Sequence, residues 1–282
     1  MLLLSANTNV KITKKVKISE KVESMNQNSN CIKHNVSGIS LFLGDCLELY
    51  KNIEPKSIDL ILTDLPYGTT ACKWDTIIPF DKLWEMVKSL LKPNGTFITT
   101  ASQPFTSALV MSNPKMFKYE LIWHKSHPTG FASSKKRTMK YHENILIFYN
   151  QQPTYNPQMT KGKPNHWNVN KAGKVSNSQP KLGEVENKNG DNKFPNSIMY
   201  FNSPNRNGIL HPTQKPTELF EYLLKTYSNE NNTIFDPCMG SGTTGIACKN
   251  TKRNFIGIEK DEAYFKIAEN RIFNHSVSGR LF

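Results

Sequence analysis

The chain has 282 residues, enough to bury a sizeable core, and its 36 Lys and Arg residues against 23 Asp and Glu give a net charge of +13. This excess of positive charge favours a polyanionic partner such as nucleic acid. No apolar run approaches the roughly 20 residues of a membrane span, and the apolar start Met1–Leu4 is too short for a signal peptide. The five scattered cysteines lack a C-x-x-C pair, which predicts a reducing, cytoplasmic location with neither a disulfide framework nor a metal site.

The first half of the chain predicts alternating strands and helices behind a polar extension. Residues 1–37 carry lysines among Asn and Ser, which indicates a flexible basic tail. The nearly continuous apolar run over 58–63 is typical of a parallel strand that is buried on both faces. The periodicity predicts strands over 39–44, 58–63, 96–100, 119–124 and 144–149, with helices over 46–53, 80–91 and 104–111.

A polar insert separates this half from a second α/β segment. Residues 151–210 are rich in Asn, Gln, Lys, Pro and Gly without a sustained period, so no regular secondary structure is expected there. Beyond the insert, the pattern predicts helices over 216–227, 243–249 and 261–273 and strands over 233–236 and 254–258. Seven strands with helices between most of them predict an α/β fold with a doubly wound, mostly parallel sheet. Its ligand is expected at the carboxyl ends of the strands.

A glycine-rich turn follows one of these strands. Residues 240–245 read Gly-Ser-Gly-Thr-Thr-Gly, directly before a predicted helix, where glycines let the backbone approach a ligand closely. Glu259 ends the next strand, and its carboxylate can accept both hydrogen bonds of a ribose diol. Asp236 at the strand tip would repel a pyrophosphate but suits an ammonium group, such as that of S-adenosylmethionine.

A second motif, Asp64-Leu65-Pro66-Tyr67, comes directly after the buried strand. The exocyclic amine of adenine or cytosine is a poor nucleophile, because its lone pair is delocalised into the ring. The Asp64 carboxylate and the Pro66 carbonyl can accept its hydrogens and stabilise charge that develops on the nitrogen. Tyr67 offers a stacking face for a base flipped out of a duplex. Taken alone, the same residues are also compatible with an ordinary turn that Asp64 caps.

Together the two motifs resemble the amino-group DNA methyltransferases of prokaryotes and phages, over roughly residues 39–274. The order, with the catalytic motif before the glycine loop, is similar to the permuted β class of this family, which has a Rossmann-like fold. The resemblance implies methyl transfer from S-adenosylmethionine to N6 of a flipped-out adenine in double-stranded DNA, by direct displacement and without a metal. In this family Asp at the first motif position goes with adenine N6 and Ser with cytosine N4. Leu65 stands where the family more often has proline, and activity is expected to persist because neither residue supplies a side-chain acceptor.

The resemblance also assigns regions and residues. It implies a catalytic half over 38–150, a target-recognition insert over 151–210 and a cofactor-binding half over 211–282, behind the tail of residues 1–37. Asp45 would accept from the amino group of the cofactor's adenine, and Thr213 and Lys215 would lie near its methionine carboxylate. Segments 123–125 and 142–144 resemble those that line the target-base pocket. The expected cofactor-binding residues are Asp45, Cys46, Asp64, Thr213, Lys215, Phe235, Asp236, Cys238, Gly240, Ser241, Gly242, Thr243 and Glu259.

Basic residues suggest where DNA would bind. Four of them lie between two predicted strands and two begin the insert, and all six are expected to contact phosphates: Lys135, Lys136, Arg137, Lys140, Lys161 and Lys163. The many Asn and Gln side chains of the insert can read adenine edges.

Other functions remain open at this stage. Within methyl transfer they are cytosine N4 in DNA, an amino group in RNA, and a protein glutamine. A nicotinamide oxidoreductase would use the glycine loop but leaves Asp64–Tyr67 without a task, and a non-catalytic nucleic-acid-binding subunit would need neither motif complete. A homodimer and a cognate restriction enzyme are open as further partners.

Overall fold

The computed structural model describes residues 33–36, 38–70, 75–163, 190–204 and 214–276. Their strands are β1 (Lys33–Val36), β2 (Ile39–Leu43), β3 (Ile58–Thr63), β4 (Leu91–Ala101), β5 (Phe117–Thr129), β6 (Lys140–Tyr149), β7 (Thr160–Lys161), β8 (Asn192–Lys193), β9 (Ile198–Phe201), β10 (Thr233–Asp236) and β11 (Asn254–Glu259). The α-helices are α1 (Cys46–Leu49), α2 (Phe80–Leu90), α3 (Phe105–Ser112), α4 (Thr217–Tyr227), α5 (Thr243–Asn250) and α6 (Glu262–Asn274).

Nine of these strands form one sheet in the order β1-β2-β11-β10-β3-β4-β6-β5-β9. Strands β2, β11, β10, β3 and β4 are parallel to one another, and β6 runs antiparallel between β4 and β5. From β3 the chain winds outward to β4, whereas from β10 it winds the other way to β11. The carboxyl ends of β3 and β10 therefore flank a topological switch point, where open α/β sheets bind their ligands.

Helices cover both faces of the sheet, because the central strands are apolar on both sides. Ile61 and Phe97 point toward the core under α1, α2 and α3. Leu60 and Leu62 point toward the core under α4, α5 and α6. The predicted doubly wound, mostly parallel α/β fold is confirmed, and every described helix is too short or too polar to cross a membrane.

The strand count differs from the prediction of seven. Strand β1 lies within the predicted tail and pairs antiparallel with β2, so the expectation of flexibility is wrong for Lys33–Val36. Strand β9 lies within the polar insert and pairs with β5, while β7 and β8 form a small separate sheet. The insert therefore contains regular structure that its polar composition did not indicate. Met199 is the buried residue of the four in β9, so the strand lacks the apolar pattern that would have predicted it. The helix expected over 46–53 is α1 followed by a 3₁₀ turn, Tyr50–Asn52.

Close packing of α5 against α6 generates a stability prediction. A Cβ on Gly245 would meet the Cδ1 atom of Ile272 and lie 2.9 Å from the ring of Phe255. Gly245→Ala is therefore expected to lower the free energy of unfolding by about 1–3 kcal/mol. Chemical denaturation measures it. Adding Ile272→Val removes the Cδ1 atom and should recover part of the loss, and a double variant no more stable than the single one would contradict this packing.

Candidate functional site

A cavity of about 490 Å³ opens where the carboxyl ends of β2, β3, β10 and β11 meet. This volume is within the range of roughly 300–1,000 Å³ that holds a small ligand. Pro66 and Tyr67 reach it from the loop after β3. The predicted cofactor-binding residues that line it are Asp45, Cys46, Asp64, Lys215, Asp236, Cys238, Gly240, Ser241, Thr243 and Glu259. The sequence motifs from both halves of the chain thus meet at one place.

Two predicted cofactor-binding residues do not line this cavity, and a third lies outside the described residues. The side chain of Phe235 is fully buried in the core beneath it and does not face the cavity. Gly242 has a positive φ of 80° and packs against α6, where a Cβ would lie 3.1 Å from that of Ala268. Its role is to close the turn and seat the helix. Thr213 lies outside the described residues.

The glycine turn is tied to the neighbouring strand by Glu259. Its carboxylate accepts from the backbone N–H of Gly240 at 2.8 Å and of Asp261 at 2.9 Å. Burial raises the pKa of Glu259 above its ordinary value, against the lowering effect of these donors. A carboxylate offers about four lone-pair sites. Glu259 therefore keeps acceptor capacity for a ligand while its orientation is fixed.

Asp236 joins β10 to both neighbouring elements. It is 2% exposed, and its carboxylate accepts from the Thr63 hydroxyl at 2.7 Å, the Cys238 N–H at 3.0 Å and the Thr244 hydroxyl at 2.5 Å. Burial raises the pKa of Asp236 to about 7, which exceeds the lowering effect of these three donors. Asp236 thus connects β3, β10 and α5 through its hydrogen bonds. The ligand contact expected from the sequence would come in addition to this structural role.

Asp45 lies at the opposite rim of the cavity. Its carboxylate caps α1 by accepting from the Leu47 N–H at 2.9 Å, and it pairs with the Lys260 ammonium at 2.9 Å. Burial opposes the charged form, yet Lys260 and the Leu47 N–H hold the pKa of Asp45 below its ordinary value. Asp45 is therefore an ionised acceptor beside the cavity.

Asp64 receives three donors from three separate segments. One carboxylate oxygen accepts from the Tyr67 hydroxyl at 2.7 Å and from the Thr100 hydroxyl. The other oxygen accepts from the Lys215 ammonium at 2.7 Å. The Tyr67 ring stacks on that of Phe105, with the centroids 5.2 Å apart. The Asp64 carboxylate is therefore held in one orientation at the carboxyl end of β3, where it lines the cavity.

A buried chain of alternating charges continues from Asp64. The Lys215 ammonium lies 3.5 Å from the Glu143 carboxylate, which in turn pairs with Lys125 at 3.1 Å. Side-chain exposures are 7% for Lys215, 17% for Glu143 and 5% for Lys125. Burial opposes both charges, yet the two lysines hold the pKa of Glu143 below its ordinary value, and the carboxylates raise the pKa of Lys215. Carboxylate and ammonium groups thus alternate along the chain, and the shifted pKa values of Glu143 and Lys215 favour the charged form of each.

This arrangement adds to the sequence expectation for Lys215. Its position near the methionine carboxylate of a cofactor stays a prediction, and the structure shows that its ammonium group pairs with Asp64 and Glu143. Glu143 and Lys125 belong to the two segments that resembled a target-base pocket. The structure connects both to Asp64 through Lys215, a relation that spacing along the chain did not show.

Sequence reasoning missed two residues that shape the loop after β3. Asp75 is 8% exposed, and its carboxylate accepts from the N–H groups of Gly68 and Thr69 at 2.9 Å and of Thr70 at 2.7 Å. These bonds fix the direction of the chain after the motif. Thr100 lies near the carboxyl end of β4, beside β3, and that strand adjacency was the signal that could have identified it.

The predicted DNA-contacting cations lie in two places. Lys135, Lys136 and Arg137 are exposed between β5 and β6, and the Lys140 ammonium donates to the Ser102 hydroxyl, directly after β4. In the insert, Lys163 is exposed, and Lys161 on β7 is exposed and pairs with Asp191 at 3.0 Å. Within the described ranges, no three His, Cys, Asp or Glu side chains are grouped so as to hold a metal ion.

Comparison with known proteins identifies a family. The model of the N6 and N4 methyltransferases, described as DNA methylase, matches residues 58–270. Among curated relatives, the type II methyltransferase M.HpaI of Haemophilus parainfluenzae is 29% identical over 245 residues, covering 82% of this chain and 73% of its own. The type II methyltransferase M1.MboII of Moraxella bovis is 27% identical over 249 residues, covering 78% and 91%.

Solved structures agree with this family. The M1.HpyAVI–SAM complex is 26% identical with a TM-score of 0.56, and the match covers 83% of this chain and 99% of that one. The PvuII DNA methyltransferase, which is cytosine-N4-specific, superimposes with a TM-score of 0.63 over 86% of this chain and 89% of its own. At 17% identity the PvuII likeness shows the fold alone.

The protonation of Asp236 generates a pH-dependent prediction. Because its folded pKa of about 7 lies above the ordinary value of 3.8, its contribution to stability is complete below pH 3.8 and is lost as pH rises toward 7. The Asp236→Asn variant has no carboxyl group to titrate at this position. The difference in unfolding free energy between the variant and the wild type should therefore shift in favour of the variant by roughly 1.4 kcal/mol per pH unit between pH 5 and 7. Above pH 7 the difference should level off. Denaturant unfolding at several pH values measures this, and a difference independent of pH would contradict it.

The charge chain generates a second prediction. Glu143→Gln leaves the buried Lys125 and Lys215 ammonium groups with one carboxylate partner fewer, and should cost about 3–5 kcal/mol of unfolding free energy. The matched control is Glu262→Gln, which breaks the exposed pair with Lys266 and should cost less than about 1 kcal/mol. Urea titration compares the two variants. Equal losses would show that Glu143 does not hold the buried charges.

Proposed function

The chain belongs to the DNA methylase family of N6 and N4 amino-group methyltransferases, and from that premise we propose that it methylates N6 of a flipped-out adenine in double-stranded DNA. The observation that carries this proposal is the oriented Asp64 carboxylate beside Pro66 and Tyr67 at the cavity. It lies on the catalytic half, 38–150, and the glycine turn lies on the cofactor half, 211–282. Residues 151–210 are proposed to recognise the target sequence.

S-adenosyl-L-methionine is the cofactor, and the cavity fits it. The volume of about 490 Å³ suits a ligand of that size, and Glu259 retains acceptor sites for the hydroxyls of a ribose. Asp45, Cys238 and Gly240 line the same space and would complete its binding site. When bound, the cofactor supplies a methyl group that its sulfonium centre makes electrophilic.

Asp64 has room for one hydrogen of the target amino group. Its carboxylate offers about four lone-pair sites, and Tyr67, Thr100 and Lys215 occupy three. The remaining site can accept one N–H of the base, while the carbonyl of Pro66 accepts the other. Two such acceptors oppose delocalisation of the lone pair into the ring and stabilise charge that develops on the nitrogen. The ion pair with Lys215 holds the Asp64 carboxylate in place during this step.

Tyr67 would hold the ring of the base. Its own ring is supported by Phe105, and the residue lines the cavity. Stacking of the flipped base there would contribute about 1–3 kcal/mol. The base must leave the duplex first, because its amino group is inaccessible to in-line attack while it is stacked.

Cytosine N4 is the alternative substrate. The same acceptors can hold its amino group, so adenine is favoured by Asp at the first motif position and by that alone. An RNA amino group or a non-catalytic binding role would leave the DNA methylase match over 58–270 and the complete Asp64 constellation unexplained. We place the activity in the cytoplasm, in agreement with the free thiols of Cys46, Cys238 and Cys248. A homodimer and a cognate restriction enzyme remain open.

Removal of the Asp64 carboxylate tests the proposal. With methyl-labelled S-adenosylmethionine and unmethylated DNA, Asp64→Ala should lower label transfer by at least about 10²-fold, the scale of losing a transition-state acceptor. Asp81→Ala, on the exposed start of α2, is the control and should retain full transfer. Calorimetry should show that both variants still bind the cofactor, because its other contacts persist. Undiminished transfer by Asp64→Ala would overturn the assignment.

A further inference from the structure

The loop between β5 and β6 presents a large apolar side chain to solvent among cations. Phe131 is 80% exposed, and Lys135, Lys136 and Arg137 beside it are exposed as well. No Asp or Glu occurs between residues 126 and 142. An exposed phenylalanine forfeits about 1.5–3 kcal/mol of burial that a partner could supply. The surrounding positive charge indicates that this partner is a polyanion.

The loop holds Phe131 in a defined conformation. The Ser133 N–H donates to the Gly130 carbonyl and the Ser134 N–H to that of Phe131, both at 3.0 Å. The Lys136 and Arg137 N–H groups both donate to the Ser133 carbonyl, at 2.9 and 3.0 Å. Gly130 enters the turn with a φ of 89°. The aromatic ring is thus displayed by a hydrogen-bonded turn, which lowers the entropy cost of using it in a complex.

The loop is anchored next to the catalytic motif. Asn144 on β6 pairs with Ala101 on β4, one residue beyond Thr100, whose hydroxyl donates to Asp64. From Asn144, β6 extends outward by four residues to Lys140, about 13 Å at 3.3 Å per residue. Lys140 pairs there with Thr129, two residues before Phe131. The loop thus projects past the carboxyl edge of the sheet at which the cavity opens, the edge that a duplex must approach to place a base there.

We propose that Phe131 is a wedge that enters the base stack of the DNA next to the position vacated by the flipped base. The inference rests on the proposed function, which requires an unstacked target. Apolar side chains that insert between base steps offset part of the cost of unstacking, which is a few kcal/mol per step. Lys135, Lys136 and Arg137 bind the flanking phosphates and hold the ring in register with the stack.

The test compares Phe131→Ala with wild type on two duplexes that contain the mapped methylation site. In one the target base is paired, and in the other it lies opposite an abasic position and needs little help to leave the stack. Phe131→Ala should lower kcat/KM about tenfold on the paired duplex, the effect of losing one stacking contact, and less than about threefold on the other. Phe131→Leu, which keeps an apolar side chain, should fall between wild type and Phe131→Ala on the paired duplex.

Met111→Ala is the matched control. Met111 is 72% exposed near the end of α3, which leads away from the cavity edge, so the variant should match wild type on both duplexes. Unchanged kcat/KM of Phe131→Ala on the paired duplex would overturn the wedge, as would an equal loss on both duplexes. Either result leaves DNA methylation by the wild type intact. A wild-type protein that methylates no DNA would instead overturn the proposed function, and the wedge with it.

Discussion

The ion pair between the Asp64 carboxylate and the Lys215 ammonium is the contact on which the site depends. It connects β3 to the segment before α4 and brings together residues 151 positions apart. Burying one such pair is costly, because each charge loses its hydration. Glu143 and Lys125 extend the pair into a neutral chain of four, so every buried charge faces an opposite one. The carboxylate that would meet the substrate is therefore positioned by residues that lie behind it.

Two aspartates at neighbouring strand tips acquire different properties from their surroundings. Both carboxylates accept from two hydroxyls, but the third donor to Asp64 is an ammonium group, whereas the third donor to Asp236 is a backbone N–H. Burial raises the pKa of Asp236 to about 7, and the charge of Asp64 adds to that rise. The Asp64 carboxylate is thus oriented at the cavity, while the Asp236 carboxylate connects the sheet to α5. The switch point between β3 and β10 makes this division of roles possible.

The sequence was informative where the signal is local. The buried run of β3, the glycine turn and the carboxylate of Glu259 each follow from adjacent residues, and the structure places them as expected. The partners of Lys215 could not be inferred, because Glu143 lies on a strand reached only through the sheet order. Strand β9 was missed because it pairs at an edge and buries little beyond Met199. Long-range pairing, rather than local propensity, decided these features.

The identity of the modified nucleoside tests the central claim most directly. Unmethylated DNA is incubated with the protein and S-adenosylmethionine, digested to nucleosides and analysed by mass spectrometry. An acceptor pair formed by Asp64 and the Pro66 carbonyl, acting on adenine, predicts N6-methyldeoxyadenosine. N4-methyldeoxycytidine in its place would contradict the assignment of adenine, and the absence of any methylated nucleoside would contradict DNA amino-group methylation by this site.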